Sequence, residues 1–453
     1  MFSKKRLKFF VMIDKLYCVI TILFYKEGHM KVFIRGCLAC ILISLLSGAV
    51  FAQSTVTDVQ GQLDKLMKQV DEQKKQIESL QNTIKDMQGK QAAPAAPAAA
   101  PEVKVSSKYN IKVYGKIKFD GIYDTNNMGR EEFITYVPRN ASGEDKATFN
   151  VRDTRFGIAI TGPSMNGWTP SGRFETDFYG SDPSSNGQLR IRLAYIDFEK
   201  EGTLIRVGQD WTPIASLNPS TVDFAIMGYN GNLWNRVPQV TLKQNLGAGF
   251  EALVTAYRGK WSDDDAGAPS AVNTQLHMPW IGGKVSYSVP LFSEQKSYFA
   301  LGGAIRSGEA GDNNVTPYVT ALEVKIPLSL VEIMGEAYMG QGLGFEYFHN
   351  GSGTNFGTFN AQGHAIMTRG GWIQGSVKPI KEVTVNVGYG MDDPKNADVG
   401  GDFYQQSKYA FGNVFIQLFR DISVGIEAAH VNTDWATGEE HGTRYQTSLI
   451  YNW

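Results

Sequence analysis

Cysteine is nearly missing from this sequence: its 3 cysteines, Cys18, Cys37 and Cys40, all fall before residue 53. Beyond that stretch no disulfide, thiolate metal site or cysteine nucleophile is available. Long apolar runs are missing too, since nothing after residue 52 approaches the ~18 consecutive apolar residues that a spanning helix needs. Neither sign of charge is in excess, with a net charge of −1 from 44 basic and 45 acidic residues, so nucleic acid is not the expected partner. The histidines beyond residue 52 (His277, His349, His364, His430 and His441) are scattered without ligand spacing, and no cofactor or metal is expected. No Ser/His/Asp set is brought together by strand phase, so the chain is not expected to be an enzyme. If it spans a membrane at all, it must do so as a closed barrel.

What is present begins with a secretory pattern. Residues 1–52 read as a signal region whose expected true start is Met30. Lys31 and Arg35 supply the charged part, Leu38 to Val50 the apolar part, and Val50-Phe51-Ala52 the cleavage site before Gln53. A longer signal or an anchor helix from Met1 is the alternative.

Residues 53–90 carry a heptad repeat, with Val56, Val59, Leu63, Leu66, Val70, Gln73, Ile77, Leu80, Ile84 and Met87 alternating in steps of three and four. A sustained 3.5-residue period predicts a short α-helical coiled coil, because a lone surface helix drifts to 3.6. The number of strands is left open by the mixture of β-branched, Leu, Gln and Met positions. Residues 91–108 include the Ala/Pro run 92–101, too poor in large apolar residues to fold and stiffened by proline into a spacer.

From 109 to 453 the period changes to two. Ile111, Val113, Gly115, Ile117 and Phe119 fall on one face of the first segment, Lys112, Lys116, Lys118 and Asp120 on the other. Such alternation suits a strand between lipid and water. Counting in this way predicts an all-β fold, a transmembrane antiparallel β-barrel of about sixteen strands. Connections alternate between long and short, which places both ends of the barrel and the coiled coil on the periplasmic side.

A water-filled pore needs fixed charge at a constriction rather than a nucleophile. On the first strands the polar face carries Lys112, Lys116, Lys118, Arg155, Arg173, Arg190, Arg192, Arg206 and Lys243, a basic wall. Glu323, Glu332, Glu336 and Glu427 on later strands would oppose it with a transverse field. Arg190 and Arg192 are the best candidates for selectivity, two apart on one strand; a bulge is expected further on, near Ile196 and Phe198, clear of both arginines. The connection from Asp210 to Arg236 is too apolar for a solvated loop. Folded inward, it would narrow the pore with Trp211, Phe224, Tyr229 and Trp234 on the wall and Asp210, Asp223 and Arg236 near the lumen. Its competing use is a subunit contact.

The secretory pattern, the heptads, the Ala/Pro spacer, Val113-Tyr114-Gly115-Lys116-Ile117-Lys118-Phe119-Asp120, Gln209-Asp210-Trp211-Thr212-Pro213 and Arg236-Val237-Pro238-Gln239 together resemble the DcaP-type trimeric outer-membrane porins. That resemblance implies a homotrimer in the bacterial outer membrane, a third loop folded into the lumen, and small anionic solutes such as dicarboxylates as cargo. Outer-membrane lipid and lipopolysaccharide would surround it, and peptidoglycan is a further candidate partner of the coiled coil. A structural tether to the cell wall and a non-selective general porin remain as alternatives.

Overall fold

The computed structural model describes residues 108–453 apart from 142, 181–186, 260–273, 276, 277, 345, 346, 348–357 and 400–402. The expected signal region, coiled coil and Ala/Pro spacer lie outside the described residues. Alternation becomes strand throughout the remainder: β1 (Asn110–Asp124), β2 (Lys146–Asn150), β3 (Arg155–Thr161), β4 (Thr169–Asp177), β5 (Arg190–Lys200), β6 (Thr203–Trp211), β7 (Arg236–Gly247), β8 (Phe250–Tyr257), β9 (Thr274–Gln275) and β10 (Trp280–Pro290). Then follow β11 (Lys296–Ile305), β12 (Gly308–Ala310), β13 (Asn313–Val315), β14 (Tyr318–Leu328), β15 (Val331–Gln341), β16 (Met367–Ile380), β17 (Val383–Pro394), β18 (Gln406–Phe419), β19 (Ile422–Trp435) and β20 (Gly438–Asn452).

One 17-stranded antiparallel sheet holds all but β9, β12 and β13, which make a separate 3-stranded sheet. Strands β2 and β3 lie in succession along β1, with Gly121 opposite Phe149 and Gly115 opposite Phe156. They are two halves of one stave, so the wall has sixteen staves. It closes where β1 meets β20, Phe119 opposite Leu449. Alternation over 150–161 predicts one unbroken second strand. A turn at Val151–Thr154 interrupts it instead, closed by the Thr154 N–H donating to the Val151 carbonyl at 3.0 Å. Asp153 in that turn collects the side chains of Lys116, Lys118 and Arg155.

Burial is inverted relative to a soluble protein. Ile117, Phe119, Leu301, Ile373, Ile426 and Leu449 are exposed, while Lys118, Asp120, Glu323, Arg444 and Ser448 are buried. Apolar residues outside and polar residues inside define a barrel whose solvent outside is lipid. At one end the connections are tight. Between β5 and β6 only Glu201 and Gly202 remain, both left-handed at φ 50° and 83°, the twist that a two-residue hairpin turn requires. At the other end most connections are long, and two of them fold into the lumen.

Candidate pore constriction

The inward connection between β6 and β7 is shorter than the alternation of residues suggested. Asp210 and Trp211 still pair with Val237 and Arg236, so they close β6 and Arg236 opens β7. The loop proper is 212–235, and these three residues are its anchors rather than part of it. Extended backbone persists there through the ladder to β7, and Asp210 pairs with Arg206 on its own strand.

Ile214, Val222, Phe224, Ala225, Met227, Leu233 and Trp234 of the loop are all buried. An outbound limb passes Glu323 of β14 at Ser216, Gln374 of β16 at Ser220 and Glu427 of β19 at Val222. The return limb passes Ser407 of β18 at Asn230 and Glu336 of β15 at Leu233. The loop is therefore a hairpin laid along the inside of the wall from β14 to β19. Its turn puts Ile226 and Met227 in the left-handed region, at φ 44° and 59°. A β-branched residue there is strained, which packing must overcome.

This arrangement corrects the expected transverse field. Glu323, Glu336 and Glu427 do point inward, but they are buried under the loop and accept its backbone N–H groups. Glu332 pairs with Lys325 at 3.1 Å. Parity shows which side chains face the lumen, not what covers them.

Facing the loop stands the wall of β1 to β6. Around Asp153 gather Lys116 at 2.7 Å, Arg155 at 2.9 Å and Lys118 at 3.3 Å; Lys118 also lies 3.3 Å from Asp120. Lys118 Nζ further donates to the Val222 carbonyl of the loop at 2.8 Å. Arg190 binds Asp177 at 2.7 Å, and Arg192 binds Glu175 at 2.6 Å and Asp177 at 3.0 Å. The bulge falls at Arg192 itself rather than near Ile196: Ile191 faces Thr176 and Leu193 faces Glu175, leaving Arg192 as the extra residue. Two carboxylates across the strand hold the side chain there. Arg206 sits apart on Asp197 at 2.7 Å, Arg173 over the Tyr114 ring at 5.3 Å, Lys243 on Glu251 at 3.0 Å, and Lys112 is exposed near the start of β1.

Arg236 differs from its neighbours. Its guanidinium lies over Trp211 at 5.0 Å and Trp234 at 5.6 Å, and Arg192 lies over the same Trp211 at 5.9 Å. Among the described residues Arg236 has no carboxylate partner, and its buried Nη1 has no hydrogen-bond acceptor. The loop's aromatic residues continue this surface, Phe224 stacking on Tyr179 at 4.2 Å and meeting Phe133 at 5.6 Å. Arg190 lies over both Tyr179 and Phe224.

Sequence reasoning missed the second inward loop, between β1 and β2. Met128, Ile134 and Val137 are buried there. The Ile134 N–H donates to Asp223 at 3.1 Å, and Glu132 pairs with Arg152. Its signal was the run Phe133-Ile134-Thr135-Tyr136-Val137, too apolar for a solvated loop. Arg444 of β20 was missed as well; it binds Asp124 at 2.7 Å and Asp223 at 3.2 Å and donates to the Arg130 and Glu131 carbonyls. Burial pushes the Asp223 carboxyl above its usual range, with Arg444 opposing that shift. Burial likewise pushes the Tyr229 hydroxyl up.

A closed sixteen-stave barrel with a lipid-facing apolar band and a loop folded along its lumen is the architecture of an outer-membrane porin. The model of the DcaP outer membrane protein family matches residues 49–273, and the chain is similar to that family over those residues. The outer membrane channel DcaP of Acinetobacter baumannii superposes with a TM-score of 0.66 at 19% identity, covering 76% of this chain and 97% of that one. An anion-selective porin from Comamonas acidovorans gives 0.53 at 13% identity, over 76% and 100%. The in-vitro folded trimer form of OmpT, an outer membrane protein of Vibrio cholerae, gives 0.50 at 11% identity, over 77% and 100%. At these identities the structural likeness speaks for the fold. No curated protein matches the sequence.

Proposed function

We propose that the protein is a homotrimeric diffusion pore for small hydrophilic solutes with a preference for anions, dicarboxylates among them. The aperture lies between the loop hairpin and the wall of β3 to β6. Lys116, Lys118, Arg155, Arg190, Arg192 and Arg236 are the charges that act on a passing solute, with Arg173, Arg206 and Lys112 along its way. Arg236 carries the argument. A guanidinium with no carboxylate partner among the described residues, beside Arg190 and Arg192, leaves an excess of positive charge at the root of the inward loop. The Comamonas relative, described as anion-selective, supports the same sign, and the OmpT trimer form supports the assembly. On the same reading the heptad segment 53–90 is a periplasmic coiled coil with the cell wall as its candidate partner, and lipid and lipopolysaccharide surround the barrel.

The pairing of most other cations favours a second reading, a general porin without preference, because carboxylates at salt-bridge distance cancel much of the field. Reversal potential under a KCl gradient in a planar bilayer separates the two. Anion selectivity in the native protein that falls in Arg236→Gln supports the proposal. A reversal potential near zero in both supports the general porin, and cation selectivity sinks the anion reading.

A further inference from the structure

A segment that crosses a barrel lumen has no neighbouring strand to take its amide hydrogens, and an unmet N–H away from water is costly. Wall glutamates supply the acceptors for this loop. The Ser216 and Leu217 N–H groups both donate to Glu323 Oε1 at 2.6 Å. Val222 donates to Glu427 Oε2 at 2.7 Å and Asp223 to Glu427 Oε1 at 3.2 Å. Leu233 donates to Glu336 Oε1 at 2.9 Å.

The three carboxylates come from three strands and are 0%, 3% and 4% exposed for Glu323, Glu427 and Glu336. Glu323 has a cation, Lys284 at 3.1 Å. Among the described residues Glu336 and Glu427 are in no ion pair. A buried carboxylate without a cation is tolerated only where N–H donors surround it. Loop and wall therefore complete each other at Glu323 and Glu427, where the loop amides need acceptors and the acids need donors; Glu336 takes one loop N–H on Oε1 while its Oε2 has no hydrogen-bond partner among the described residues.

We propose that Glu323, Glu336 and Glu427 are positioning residues that fix the constriction loop against the wall and so set the width and steadiness of the aperture. The competing account is apolar packing alone, since the loop also buries Ile214 and Leu233. The two differ in one respect. Packing is indifferent to an acid-to-amide change at the wall, whereas a glutamine retains a single carbonyl oxygen: at Glu427, where each oxygen accepts a loop N–H, the NH2 must face one of them, and at Glu323, where both N–H groups share Oε1, it must face the Lys284 ammonium and the acceptor loses its charge.

The test is amide hydrogen exchange on the refolded full chain in micelles, comparing the native protein with Glu323→Gln, Glu427→Gln and the control Glu332→Gln. Loss of one charged acceptor is expected to speed exchange about tenfold or more in the peptide it serves. For Glu427→Gln that peptide spans 220–225, with 213–218 unchanged; for Glu323→Gln the order reverses. Should a glutamine variant fail to refold, Glu427→Asp keeps the charge but withdraws the carboxylate by one methylene, and the same local acceleration is expected. Exchange equal to native in these variants overturns the proposal, as does acceleration spread evenly over the barrel strands.

Bilayer recordings give the second readout: open-channel noise is expected to rise in both glutamine variants and not in Glu332→Gln. This readout alone rests on the pore reading. A silent native protein would sink the pore while exchange still decides the clamp.

Discussion

The two halves of the lumen use charge in opposite ways. On the wall of β1 to β6 lysine and arginine meet carboxylates side chain to side chain, as in Arg192 with Glu175 and Asp177. On the wall of β14 to β19 Glu323, Glu336 and Glu427 are turned to the backbone of a loop. The first arrangement buries Arg192 but leaves Arg190 and Arg155 partly open, with 34% and 28% of their side chains exposed. The second leaves little, because the loop covers it. A barrel rich in lumen charge can thus have one electrically active wall and one that works as scaffolding.

The strongest way to break this contrast is to unbalance the active wall. Arg192→Gln leaves Glu175 without its cation and Asp177 with Arg190 alone, and removing one member of a buried pair costs about 3–5 kcal/mol. Its heat-modifiability midpoint is expected to fall sharply, and any channel that forms should shift toward cations in reversal potential. Asp177→Asn should destabilise to a similar degree but move the reversal potential toward anions, since it releases Arg190 and leaves Arg192 to Glu175 alone. Equal shifts in one direction would mean that neither residue acts on permeating ions. Arg236→Gln sharpens the picture without stranding an acid, with selectivity falling and the melting midpoint close to native. At the scaffold wall, Glu332→Gln breaks only the partly exposed contact with Lys325, worth about 0–1 kcal/mol. Conductance, selectivity and stability should all stay at native values.

Strand positions and the inward loop were readable because both follow from the local order of residues. Alternation survives in any strand between lipid and water, and a stretch such as Phe224 to Trp234 is too apolar to stand in solvent. The role of the back-wall acids was not readable, since a glutamate in lumen phase looks the same whether it faces a solute or an amide from a loop more than 100 residues away in sequence, as Glu323 faces Ser216. The turn at Asp153 and the bulge at Arg192 escaped for a related reason. Both are fixed by carboxylate–cation contacts between strands, and periodicity along a single strand carries no trace of them.

Between the side chains that hold the loop, the wall carries glycine where the backbones come closest. A Cβ on Gly302 would stand 2.4 Å from the Ile214 carbonyl oxygen, and one on Gly390 would stand 2.4 Å from that of Asn230. Neither glycine belongs to the basic wall, yet each governs how far the hairpin can retreat. A single added methyl at either would push the loop toward the arginines and tighten the passage. The gauge of such a channel can therefore drift through mutations behind its narrowest point, while the residues that meet the solute stay as they are.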